Sequence, residues 1–206
     1  IDHAVVLNLS QLYGNGLTQS DMRQALRFQN DFNAEVQAEN NGRFTTGFVV
    51  HAGFVEGALW EIERCVEKLG MKVLCLPTHY LNTAGKWKVI FNKETEPILE
   101  LANKYKLAIE VHPYDGEKFI KLEDTSWRFH VIWMLAQCAD SYHFYTLNGY
   151  YEKYPDIRTC FAHGGQLNHI NIGRRTQGFD GRPDLFDGLD RPRKLSLIHI
   201  AHPTIH

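Results

Sequence analysis

The chain has 206 residues, 44% of them hydrophobic and 22% charged, enough for one substantial core in a single domain and unlike a disordered or membrane-spanning protein. Its net charge is −2, and no long basic run is present, so nothing favours a nucleic-acid partner over a small molecule. Cys65, Cys75, Cys138 and Cys160 are scattered singly in apolar surroundings, which predicts reduced core thiols rather than a disulfide scaffold.

In chain order, Val5 to Leu9 is a short β-rich run. Apolar residues then recur at helical spacing from Thr18 to about Asn40 (Met22, Leu26, Phe28, Phe32, Val36). A strand over 43–50 is followed by a helix from Phe54 to Leu69, which Gly70 closes. The unit recurs as strand 72–78 with helix 93–105, and as strand 108–112 with helical material over 126–139. A further helix over 142–153 precedes strand 157–162, and 167–177 again reads as helical. The strands are nearly continuous apolar runs, as expected where helices cover a parallel sheet. Five strand–helix units predict parallel strands with right-handed crossovers, and the pattern alone leaves an open doubly wound sheet and a barrel as alternatives. Gly14-Asn15-Gly16 lacks the third glycine of a dinucleotide loop, with Gln19 in its place, and reads as a turn.

Two of the runs end in histidine: His112, followed by Pro113, and His163, followed by Gly164-Gly165. A neutral imidazole at the carboxyl end of a buried strand points into the mouth of an α/β barrel, where ligands and metals bind. A lone strand-end histidine is more often a hydrogen-bonded core or loop residue, but two in equivalent positions point to a site. They do not complete one, because catalytic zinc normally takes three protein ligands.

Ile109-Glu-Val-His-Pro-Tyr-Asp115 and Cys160-Phe-Ala-His-Gly-Gly165, with Gly173-Arg-Arg175 and Arg182-Pro-Asp-Leu185 behind them, resemble the amidohydrolase-related metal-dependent decarboxylases, most closely their aminocarboxymuconate semialdehyde decarboxylase branch. Arg43-Phe44, Glu63-Arg-Cys-Val-Glu-Lys-Leu-Gly70 and Thr78-His79 fall in the same order, so the similarity spans about residues 1–194. The resemblance implies an α/β fold, a TIM-like (β/α)8 barrel of the metal-dependent hydrolase type, of which this chain holds about strands 2 to 6. It also implies a divalent metal, zinc by analogy, and a homodimeric parent. His112 falls on the family's fifth-strand metal ligand, and His163 on the histidine that serves as general acid/base. Arg174 falls on an arginine that binds the substrate carboxylate, and His79 lies on the same rim as a substrate contact. The family's His-x-His pair and its last aspartate ligand have no counterpart.

The implied activity is decarboxylation of a conjugated or aromatic carboxylic acid. A metal-dependent hydrolase and a catalytically silent fragment are the alternatives. Asp115 is a candidate to orient a ligand from behind, or simply starts a loop. The aromatic stretch Trp127, Phe129, Trp133, Tyr142, Phe144 and Tyr145 is expected in core or interface, with one or two rings lining a pocket, and His130 and His143 are expected in helices with packing roles. The chain starts without methionine and runs directly into a strand, as an incomplete piece does. The last residues, 195–206, carry His199, His202 and His206 and depart from the family pattern, which reads as a tail of non-native origin. No signal peptide is visible, which favours the cytoplasm. An open barrel edge is expected to make the isolated chain poorly soluble or self-associating.

Overall fold

The computed structural model describes residues 2–40, 42–113 and 129–182. Asp115, Trp127, the side chain of Phe129, the tail histidines His199, His202 and His206, and the boundary expected at residue 194 lie outside the described residues.

Five strands form one sheet: β1 (Ala4–Val6), β2 (Phe44–Val49), β3 (Val73–Pro77), β6 (Ala108–His112) and β7 (Arg158–Phe161), in the spatial order β1-β2-β3-β6-β7. All four pairings are parallel. Between β3 and β6 a short antiparallel hairpin, β4 (His79–Leu81) and β5 (Trp87–Val89), stands apart as a second sheet. Spatial order follows chain order without reversal. A doubly wound sheet reverses at a switch point, so the uniform progression is that of a barrel arc.

The helices are α1 (Gln19–Glu39), α2 (Val55–Glu67), α3 (Glu96–Lys104), α4 (Met134–Leu147), α5 (Tyr150–Lys153), α6 (Gln166–Ile170) and α7 (Ile172–Gly181). A π-helical turn, Phe129–Trp133, leads into α4. The expected break between 139 and 142 does not occur, since Asp140-Ser141 contains no helix breaker and the Ser141 hydroxyl donates to Thr78 O at 3.0 Å. The helix stops instead before Gly149, whose φ of +68° suits glycine. The helix read over 167–177 is divided at Asn171 into α6 and α7. Gly14 and Gly16 both have positive φ, and Leu17 N–H donates to Gly14 O, so this segment is the turn expected.

The main core lies where the sheet meets its helices. Phe48, Leu74, Leu76, Ile109 and Val111 pack there against Ile62, Cys65, Ile98, Leu99 and Tyr145. Burial of a side chain of this size stabilises the fold by roughly 1.5–3 kcal/mol. The other face carries Val49, Cys75 and Glu110 in register, with Cys160 opposite Glu110. Three of the four cysteines are buried and free as expected, but Cys160 is exposed because β7 is an edge strand among the described residues.

Amide side chains tie α1 to β2. Asn30, fully buried, accepts from Val49 N–H at 2.8 Å and donates to Val49 O at 3.0 Å and to Glu61 Oε1 at 2.7 Å. Asn33 donates to Gly47 O at 2.8 Å, and Gln37 accepts from Thr46 N–H at 3.0 Å. Arg64 then grips Glu61 with two nitrogens at 2.7 and 2.9 Å and Asp31 at 2.6 Å, joining α1 to α2.

Replacing Asn30 with Ala leaves a buried N–H and C=O of Val49 without partners and is expected to cost about 2–4 kcal/mol. Asn30→Asp should cost more at pH 7, because its carboxylate faces Val49 O and Glu61. Urea denaturation of the two variants checks both the magnitude and the order. At the sheet edge, Val5, Leu7 and Leu9 are exposed. Light scattering across a concentration series should show self-association that Val5→Lys reduces; a monomer at all concentrations contradicts this reading of the edge.

Candidate functional site

The carboxyl ends of β6 and β7 bring two histidines together. His112 is the last residue of β6, and His163 follows β7 by two residues. Their rings lie 5.1 Å apart, centroid to centroid, inclined at 56°. His163 has a φ of +56° and is followed by Gly164 and Gly165, also in the left-handed region, so three successive residues turn the chain sharply into α6. A side chain at Gly165 would collide with Asn168.

His112 Nδ1 donates to Pro113 O at 2.9 Å, which leaves the lone pair of the neutral ring on Nε2. Burial lowers its pKa, the adjacent His163 lowers it further, and the bond to Pro113 opposes both. The neutral ring is the form that can ligate a metal. Two residues earlier on the same face, Glu110 is buried and accepts from the Tyr13 hydroxyl at 3.4 Å. Burial raises the Glu110 pKa from an ordinary 4.5 to about 7.

His79 bonds to a residue of α4, and Arg174 lines a groove along the same helix. His79 follows β3 by two residues, at the carboxyl end of that barrel strand, and opens the short β4. Its Nε2 is 3.2 Å from Asp140 Oδ2, and its Nδ1 is 3.1 Å from Thr78 Oγ1. Asp140 also lines an open groove with His143, Asn171 and the exposed Arg174 of α7. His130 lies in the π turn, its Nδ1 3.3 Å from Met134 Sδ, and His143 lies in α4.

A fourth strand-end histidine carries no expectation from the sequence. His51 follows β2 by two residues and is only 8% exposed. Its Nδ1 accepts from Gly53 N–H at 3.1 Å, which places the proton of the neutral ring on Nε2. Burial lowers its pKa from 6.5 to about 4. A weaker signal was available: Phe48-Val49-Val50-His51 is an apolar run closed by histidine, with Gly53 one residue further on than a strict match would have it.

A catalytic divalent ion normally takes three protein ligands. Among the described residues no group of three or more His, Cys, Asp and Glu side chains is placed to hold one. His112 with His163 is therefore a partial donor set, and the described residues alone do not complete a metal site.

A parallel arc of strands with histidines at their carboxyl ends is the architecture of part of a (β/α)8 barrel. The amidohydrolase family model matches residues 10–182, and the chain belongs to that family. The 2-amino-3-carboxymuconate-6-semialdehyde decarboxylase of Dictyostelium discoideum is 26% identical over 185 residues, which cover 90% of this chain and 50% of that one. The chain thus spans about half the length of this curated relative. Among solved structures, 5-carboxyvanillate decarboxylase from Sphingomonas paucimobilis matches with a TM-score of 0.77 and 18% identity, over 94% of this chain and 56% of that one. A dihydroxybenzoic acid decarboxylase from Polaromonas sp. JS666, solved with manganese and the inhibitor 2-nitroresorcinol, matches with a TM-score of 0.75 and 17% identity, over 95% and 60% of the two chains. The fold is accordingly part of a TIM-type barrel. No helix among the described residues is long and apolar enough to cross a membrane.

The depressed pKa of His51 has a definite sign for stability. The neutral ring contributes fully above the unfolded value near 6.5, and its contribution is lost as pH falls toward about 4. The shift corresponds to something on the order of 3 kcal/mol. Denaturation at pH 7.5 and pH 4.5 should show His51→Gln losing less stability on acidification than the wild type.

Proposed function

We propose that this chain is the central part of a metal-dependent decarboxylase acting on an aromatic or conjugated carboxylic acid. The observation that carries the reading is the His112–His163 pair at the carboxyl ends of adjacent parallel strands. Membership of the amidohydrolase family and similarity to several decarboxylases support it.

Loss of CO2 leaves a carbanion that must be delocalised and then protonated, so the reaction needs an electrophile and a proton donor. His112, neutral with Nε2 carrying the lone pair, is the residue to hold a divalent ion, together with ligands beyond the described residues. The bound ion supplies the electrophile. The metal need not be zinc, since a similar structure holds manganese. His163, exposed on a glycine-rich turn, delivers the proton to the carbon that CO2 has left. Arg174 binds a substrate carboxylate through two parallel N–H donors, as lysine cannot. His79, at the end of β3 and oriented by Asp140, is a further substrate contact on the rim.

A second reading, a catalytically silent chain, is favoured by the absence of a three-ligand group among the described residues. Titration with Mn2+ and assay of CO2 release from 5-carboxyvanillate and 2,6-dihydroxybenzoate separate the two. The decarboxylase reading expects metal binding that His112→Ala abolishes and turnover that His163→Ala lowers about a hundredfold or more. A wild-type chain that binds no metal and releases no CO2 is silent, and ester or lactone cleavage without CO2 identifies a hydrolase.

A further inference from the structure

A cavity of about 420 Å³ lies between α1 and α2 at the carboxyl end of β2. Met22, Leu26, Val50, Phe54 and Trp60 give it apolar and aromatic walls. The first turn of α2, Val55 to Ala58, forms one side, and no side chain caps that helix at Phe54. Uncapped first-turn N–H groups and the positive end of a thirteen-residue helix attract an anion. An independent observation points the same way. His51 lines the cavity while 8% exposed, its Nδ1 is taken by Gly53 N–H, and among the described residues Nε2–H has no acceptor. A largely buried residue of the cavity lining therefore keeps one ring N–H available to a ligand.

Charge at the mouth is supplied by Arg23, whose guanidinium lies 5.8 Å from the Trp60 ring centroid. Two carboxylates also line the cavity. Glu61 is already committed to Arg64 and Asn30, and Glu56 is exposed to solvent. N–H donors, a cation at the mouth and apolar walls fit a molecule with one anionic end and a flat, apolar body.

We propose that this cavity is a binding site for a small organic carboxylate with a planar apolar body, separate from the His112–His163 pair. Its carboxylate accepts from His51 Nε2–H and the first turn of α2, Arg23 supplies the counter-charge, and the body lies against Phe54 and Trp60. β3 separates β2 from β6, which puts those two strands about 10 Å apart, and neither His112 nor His163 lines the cavity. The inference does not rest on the decarboxylase reading, because it needs neither metal nor turnover.

Calorimetric titration of benzoate into the 206-residue chain in EDTA tests it, with inorganic phosphate as the comparison. Saturable benzoate binding is expected, equal in wild type and His112→Ala and weakened at least tenfold in His51→Phe and Arg23→Gln. Arg23 is exposed, so Arg23→Gln carries the test if His51→Phe does not fold. No saturable heat, full binding in Arg23→Gln, loss of binding in His112→Ala, or phosphate binding as tight as benzoate overturns the proposal.

Discussion

Backbone groups of β2 from Thr46 to Val49 must find hydrogen-bond partners in a part of the molecule closed to water, and α1 supplies them from its side chains. Asn30, Asn33 and Gln37 lie on one face of the helix, and together they engage Thr46, Gly47 and Val49. A buried amide with unmet donors is costly, so the helix has little freedom to slide or rotate against the strand. Glu61 and Arg64 carry that constraint into α2. The carboxyl end of β2, the start of α2 and the cavity between them all take their positions from this one polar seam.

The alternation of strand and helix was legible because each strand is a dense apolar run and each helix has a stripe of regular spacing. Strand order was not, since periodicity describes which face of an element is buried and says nothing about its neighbour. The β4–β5 hairpin escaped because its strands are three residues each. Its turn did leave a trace, in Asn82, whose side chain accepts from the N–H groups of Ala84 and Lys86, and in Gly85 at a φ of +70°. The continuity of α4 through Asp140-Ser141 depends on a contact with Thr78 that lies far away in sequence.

The candidate site was legible to the same degree. His112 and His163 were found by a local rule, a histidine closing an apolar run before Pro or Gly, and parallel pairing of β6 with β7 brings them side by side. His51 gives a weaker form of that signal, because Ala52 stands between it and Gly53. The pairing of His79 with Asp140 had no local signal. It arises from the packing of α4 against the hairpin, and only tertiary structure reveals it.

Strand order that follows chain order also governs how the molecule is made. A chain emerging from the ribosome folds its early segments first. Here each new strand finds its partner already in place, β2 beside β1, β3 beside β2 and so onward, without waiting for a distant segment to return. Closure lengths stay short relative to a sheet whose middle strands arrive last, which favours rapid assembly. The same order means that the edge opposite β1 is always the most recent strand, so on that side the adhesive surface moves along with synthesis and is covered by the next unit to appear.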